Sequence, residues 1–184
     1  MGRDKLLLEV GGATLAERVA EALYGGRCRE VILAGRGTAP PGVRGVRAVG
    51  DARPGQGPLA GMEAGLAAAR HPLVFVAAGD MPFLRPELVD HLLGVLQERG
   101  SPAAVPDDGR RTHPLCAAYS RGVLPNLRSA LDGGVRAARE FLGGLDGVAY
   151  VPAAELRRLG DPDRLLMNVN FPEDLARARG VVDT

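Results

Sequence analysis

Lysine is almost absent from this chain: Lys5 is the only one among 23 basic residues, and every other positive position is Arg. Tryptophan is missing and aromatic residues make up 4%, which removes the stacking platforms on which single-stranded nucleic acid is held. No charge of one sign dominates. The 23 basic and 22 acidic residues give a net charge of +1, and the arginines are scattered rather than striped, unlike a nucleic-acid footprint. Apolar runs are far too short to span a bilayer, and no basic, apolar, small-residue series of a secretory signal opens the sequence. Cysteine is limited to Cys28 and Cys116, far apart and without metal-ligand spacing. The expectation is a reduced, cytoplasmic protein with no membrane or nucleic-acid partner.

What is present reads as one α/β domain. Its 184 residues and 46% hydrophobic content suit a single three-layer core over residues 1–184. Thr14-Leu15-Ala16-Glu17 forms a capping box for a helix reaching about Leu23 and stopping at Gly25-Gly26. Residues 30–35 and 46–49 read as strands. Pro58 suits the first position of a small-residue helix running to Ala69. Residues 73–78 are continuously apolar, as a strand buried on both faces must be. A helix over 86–98 carries Leu88, Leu92, Val95 and Leu96 on one face. This alternation predicts right-handed crossovers and a doubly wound, mostly parallel, Rossmann-like sheet. The second half is less regular: strands near 103–106, 113–119 and 148–152, helical stretches near 123–131 and 135–142, and a last helix opened by Pro172-Glu173-Asp174. Residues 1–100 form the nucleotide-binding half of this reading, and residues 101–184 the acceptor-side half.

Ligands of open α/β sheets gather outside the carboxyl ends of the strands. Asp51 and Asp80 stand at such ends. Asp80 suits Mg²⁺, which takes one or two protein carboxylates and leaves its other places to water and phosphate; a turn or cap role is the alternative. Residues 51–61 form a glycine-rich loop entering a helix, where backbone N–H groups can approach an anion, though such loops also serve as plain turns. Lys5 is either a chance surface lysine or a position where a compact ammonium is needed against phosphate and a guanidinium does not fit.

Five stretches in order carry a resemblance over most of the chain: Met1-Gly2-Arg3-Asp4-Lys5-Leu6-Leu7; Asp51 with Pro54-Gly55-Gln56-Gly57-Pro58-Leu59-Ala60-Gly61; Gly79-Asp80-Met81-Pro82-Phe83; His113-Pro114-Leu115; and Asn168-Val169-Asn170. Together they resemble the molybdenum-cofactor guanylyltransferase family of nucleotidyltransferases. The resemblance implies transfer of GMP from Mg-GTP to the phosphate of molybdopterin, with release of pyrophosphate, and with molybdoenzymes or cofactor-delivery proteins as further partners. It puts Lys5 on the GTP phosphates, Mg²⁺ on Asp80, and Asp51, Gly57, Pro58, Leu59 and Gly61 in the nucleotide pocket. His113, Asn168 and Asn170 fall toward the pterin, with His113 equally readable as a satisfied strand histidine. Such transfer needs positioning and charge neutralisation rather than a protein nucleophile. A CTP-using relative, a transferase to another phosphate, and a non-catalytic protein binding molybdopterin or a partner enzyme stay open.

The sequence departs from the family in places. Family members place an apolar strand and a Leu-Ala-Gly-Gly loop ahead of the stretch that begins here at Met1. The expectation is a start assigned at an internal methionine, with roughly 15 to 20 further residues encoded upstream, and a 184-residue form that is poorly stable or rearranged at that edge and binds GTP weakly. Ala34 stands where an Asn touching nucleotide can occur, Gly79 where Cys is frequent, and Phe171 where a Thr would cap the last helix. Cys28 and Cys116 read as small apolar fillers, and His71 and His91 as loop and helix-surface residues.

Overall fold

The computed structural model describes residues 4–35 and 37–182. A single 3₁₀ turn at Lys5–Leu7 leads into a short hairpin, β1 (Glu9–Val10) and β2 (Ala13–Thr14). Then follow α1 (Leu15–Gly25), β3 (Ile32–Ala34), β4 (Arg47–Val49), α2 (Pro58–Ala68), β5 (Leu73–Ala77) and α3 (Pro86–Arg99). The second half holds β6 (Ala103–Asp107), β7 (Cys116–Ser120), α4 (Leu124–Asp132), α5 (Ala138–Gly143) and β8 (Ala149–Pro152). It closes with α6 (Ala153–Leu156), α7 (Pro162–Leu165) and α8 (Pro172–Val182). No described helix is long and apolar enough to cross a membrane.

The capping box forms as its residues require: Thr14 Oγ1 accepts from the Glu17 N–H at 3.2 Å, and the Glu17 carboxylate accepts from the Thr14 N–H at 2.8 Å. Helix α3 buries all four expected side chains together with Val89 and Leu93, and ends at Gly100 with φ of 60°. Small residues let α2 press on the strands; a Cβ on Gly65 would lie 3.7 Å from that of Ala34.

Strands β5, β7, β6 and β8 form one sheet in that order, and β3 pairs with β4 separately. β6 and β8 are parallel, as are β3 and β4, while β7 runs against both β5 and β6. The reversal has a simple cause: residues 108–115 hold no helix, so no crossover can return the chain to a parallel start. Alternate strand residues face opposite layers. Phe75, Ala104, Cys116, Ala118 and Val151 pack with α1 and α3, whereas Ala103, Val105, Ala117 and Tyr119 pack with α2, α4 and α5. Cys116 is buried and its thiol is pushed up by that burial to about 12, as befits an apolar filler.

The apolar run of residues 73–78 departs from expectation. Only Phe75 within β5 is buried; Leu73, Val74, Val76 and Ala77 are half-buried. One long edge of β5 pairs with β7, and among the described residues no strand pairs with the other.

The two ends of the chain meet. Val10, Leu15, Phe83, Met167, Val169 and Ala178 form a third apolar cluster, and Arg179 Nε donates to the Glu9 carbonyl at 3.0 Å. This clamp brings residues 167–170 beside Lys5. Phe171 offers the last helix no capping side chain, and Asp174 in its first turn reaches back to take the N–H groups of Asn170 and Phe171 at 3.0 Å each.

Candidate active site

Asp80 emerges just past the carboxyl end of β5, and its side chain is 6% exposed. Burial of a carboxylate requires partners. Lys5 Nζ donates to Asp80 Oδ2 at 2.5 Å, and Asn168 Nδ2 donates to Asp80 Oδ1 at 2.8 Å. Lys5 also donates to Asn170 Oδ1 at 3.2 Å. The backbone holds the arrangement, since the Val169 N–H donates to the Asp80 carbonyl at 2.9 Å. Asn168 and Asn170 therefore point to the same side of an extended segment, one onto the carboxylate and one onto the ammonium. Leu6 packs over the strand end, where a Cβ on Gly79 would approach its Cδ2 to 2.6 Å, so a larger residue at 79 would require the Leu6 side chain to shift.

Asp51 stands beyond the end of β4, opposite the start of α2. Its carboxylate lies close to Gly35 and Gly61: a Cβ on either would sit 3.5 and 3.8 Å from it, respectively. Asp51 Oδ1 and Gln56 Oε1 are buried without a hydrogen-bond partner. An orphaned buried oxygen is costly, and two on one glycine-rich loop mark a place where a ligand's donors would be welcome. Gly57 turns the chain with φ of 79° and no side chain caps α2 beyond it; Pro58 has no N–H and the Ala60 N–H bonds the Gly57 carbonyl at 3.2 Å, while the helix start still favours negative charge. Pro58 and Gly61 line a cavity of about 880 Å³, as do Lys5, Asp80, Asn168 and Asn170.

His113 lies elsewhere. It is buried in the loop between β6 and β7, with Nε2 2.8 Å from Asp108 Oδ2. Burial holds the imidazole below its ordinary pKa despite the neighbouring carboxylate. Burial alone would raise the Asp108 pKa, but hydrogen bonds from His113 and the N–H groups of Arg110 and Arg111 outweigh it and hold the carboxyl well below the usual range. The pair fastens a turn.

Sequence reasoning missed a second ionic group. Glu63, 6% exposed on α2, accepts from Arg53 Nε at 3.1 Å and Arg128 Nε at 3.0 Å, and Arg53 also bridges to Asp132 at 2.6 Å. The loop over residues 51–57 is thus tied to α2 and α4. A lone acid in the otherwise apolar α2 was the available signal.

A metal ion fits the Asp80 position on particular terms. Among the described residues no three His, Cys, Asp or Glu side chains gather; the donors are one carboxylate and the nearby Asn170 amide oxygen. Such a set is too small for a self-sufficient cage and suits Mg²⁺ shared with substrate phosphates.

The layered α/β sheet thus carries a lysine, a carboxylate and a glycine-rich loop at one strand-end rim. Residues 1–148 match the model of the MobA-like NTP transferase domain. A probable molybdenum cofactor guanylyltransferase from Pelotomaculum thermopropionicum is 39% identical over 180 residues, covering 97% of this chain and 85% of the relative. Among solved structures, molybdopterin-guanine dinucleotide biosynthesis protein A from Archaeoglobus fulgidus superposes with a TM-score of 0.78 at 25% identity, covering 99% of this chain and 92% of that one. The 2-C-methyl-D-erythritol 4-phosphate cytidylyltransferase from Thermus thermophilus gives 0.73 at 25% identity, covering 98% and 94%. The chain belongs to the MobA-like NTP transferase family.

Proposed function

We propose that this protein transfers GMP from Mg-GTP to the phosphate of molybdopterin in the cytoplasm, forming molybdopterin guanine dinucleotide and pyrophosphate. The observation that carries the reading is the convergence of Lys5, Asp80, Asn168 and Asn170 on one strand-end rim. Its partners would be GTP, molybdopterin and, downstream, molybdoenzymes or their delivery proteins.

An oxygen of the acceptor phosphate attacks the α-phosphorus of GTP, the new P–O bond forms, and the bond to the β-phosphate oxygen breaks. Mg²⁺, held by Asp80 with the Asn170 amide oxygen close by, would neutralise phosphate charge when bound. Lys5 lies within reach of the same phosphates as a compact point charge. Lys5 and Asp80 neutralise each other; an incoming metal–phosphate pair would offer each a new counter-charge. Asn168 keeps the carboxylate aimed at the rim. Asp51 Oδ1, buried and without a donor, would take N–H or O–H groups of the nucleoside, and the start of α2 would face its phosphates. No side chain acts as nucleophile.

Thermal-shift titration with the Mg²⁺ complexes of GTP, CTP, ATP and UTP ranks the nucleotides, and pyrophosphate release in the presence of molybdopterin scores transfer. GTP should give the largest shift and be the substrate consumed. A CTP preference would replace the guanine reading with a cytidylyltransferase one, in line with the Thermus neighbour. Binding of molybdopterin without any nucleotide would replace it with a non-catalytic carrier.

A further inference from the structure

Helix α2 is apolar except for Glu63, which lies on its buried stripe with Leu59, Met62 and Leu66. A carboxylate in that place needs cations within reach. Two supply them: Arg53, from the loop ahead of the helix, donates from Nε to Glu63 Oε2 at 3.1 Å, and Arg128, from α4, donates from Nε to Oε1 at 3.0 Å. Arg53 carries the chain of charges one step further, with Nη2 2.6 Å from Asp132 Oδ1. Arg128 and Asp132 are four residues apart and so share one face of α4, the helix that packs on α2. Two positive and two negative groups thus balance between the helices.

What the network fastens is the loop over residues 51–57. Asp51 opens it with Oδ1 buried and without a partner, and Gly55 and Gly57 carry it round at φ of 76° and 79°. Glycine leaves such a loop many shapes, and the bond from the Gln56 N–H to the Arg53 carbonyl at 3.3 Å only closes a turn within it. Among the described residues, the side-chain hydrogen bonds and ion pairs that tie this loop to other segments all come from Arg53. Its two anchors differ in strength. The Glu63 side chain is 9% exposed and that of Asp132 65%, so solvent screens the second and the first decides where the guanidinium sits. A guanidinium presents its donors as a fixed planar fork and can hold both carboxylates at once; an ammonium offers no such fork.

We propose that Arg53 is a positioning residue for the nucleotide: held by Glu63 on α2 and Asp132 on α4, it fixes residues 51–57, and with them the Asp51 carboxylate two positions away, in the shape that receives a nucleoside. The role lies in binding and not in the chemical step, because Lys5 and Asp80 meet at the rim through contacts that do not include this network. It also makes nucleotide affinity depend on α4, a helix of the second half of the chain. The inference rests on the reading above that this loop takes the nucleotide.

The test uses the Mg²⁺ complex of whichever of GTP, CTP, ATP and UTP the wild-type chain binds most tightly. Arg53→Ala should raise its dissociation constant and KM about tenfold and leave kcat within about twofold, the pattern of lost binding rather than lost transition-state contact. Glu63→Gln should act alike, and the double variant should be no worse than either single one, since each breaks the same link. Asp132→Asn, at the screened anchor, should cost only about twofold. Without nucleotide, the Gln56 amide should exchange about tenfold faster in Arg53→Ala. Should that variant fail to fold, Arg53→Lys takes its place, with a smaller rise in KM expected. A fall in melting temperature with nucleotide affinity unchanged would make the network a plain staple between α2 and α4 and overturn the proposal. So would a loss confined to kcat, or a larger effect of Asp132→Asn than of Glu63→Gln. Wild-type protein that binds none of the four nucleotides would defeat the reaction reading and this role with it, whereas equal binding by wild type and Arg53→Ala would defeat the role alone.

Discussion

Replacing Asp80 by Asn separates chemistry from architecture at the rim. The carboxylate is 6% exposed and holds two donors, Lys5 and Asn168, one on each oxygen. Asn keeps the shape and one acceptor, so one of the two donors faces an NH₂ group instead. Lys5 resolves the conflict most easily, because its side chain is 41% exposed and can turn to water. That exposure limits the ion pair to the value of a solvent-screened one, about 0.5–1 kcal/mol. For a domain of this size the melting temperature should fall by about 1–4 °C. The effect on transfer should be far larger, about 10²–10³-fold in kcat, the usual loss when one electrostatic contact to a reacting centre is removed. Melting curves and pyrophosphate release from one preparation, the latter across a Mg²⁺ series, measure both. Near wild-type turnover at limiting Mg²⁺ would refute the metal assignment, and a large drop in melting temperature would recast Asp80 as a mainly structural residue.

Lys5→Arg should lower transfer on the order of tenfold without lowering the melting temperature, because a planar guanidinium replaces a point charge in a 2.5 Å contact; unchanged GTP kinetics would make Lys5 an ordinary surface residue. Tyr119 is fully buried and its hydroxyl donates to the Pro114 carbonyl at 2.8 Å, so Tyr119→Phe should cost about 1–2 kcal/mol, seen in urea unfolding, and a wild-type midpoint would contradict the buried bond. The depressed Asp108 pKa implies stability that is present above the ordinary carboxylate value of about 3.9 and is lost as pH falls below it toward the folded-state value. Asp108→Asn should therefore be less stable at neutral pH and flatten the acid limb of a melting-temperature profile; an unchanged acid limb would show that other carboxylates set it.

Much of the fold was legible because local signals agreed with tertiary demands. The Thr14 and Glu17 pair, Pro58 at a helix start and the Leu88 to Leu96 stripe each specify an element without help from distant residues. The hairpin of β1 and β2 was not legible, being two residues per strand and held by contacts with α8 from the other end of the chain. The sequence pattern runs a strand from His113, but β7 begins at Cys116, because a turn closed by the Cys116 N–H on the His113 carbonyl separates it from the isolated pairing of Asp107 with Thr112. At the rim, residue types suggested Lys5 and Asp80 separately, while their contact spans 75 positions and no local pattern encodes it. The resemblance implies a pterin-side place for Asn168 and Asn170, while their hydrogen bonds to Asp80 and Lys5 are not encoded by any local pattern. The Glu63 group was not legible because its two arginine partners come from the loop before α2 and from α4, 10 and 65 positions away.

The solitary lysine gives the rim a chemical address. An amine-acylating reagent has one side-chain target in the whole sequence, and that amine is half-exposed and bonded to Asp80 and Asn170. A single mass increment on the peptide carrying Lys5 thus reports how open the rim is, with the α-amino group as an internal reference. Any ligand that covers the ammonium should slow that increment relative to the reference, so rim occupancy can be followed on unlabelled, unmutated protein without waiting for a turnover assay.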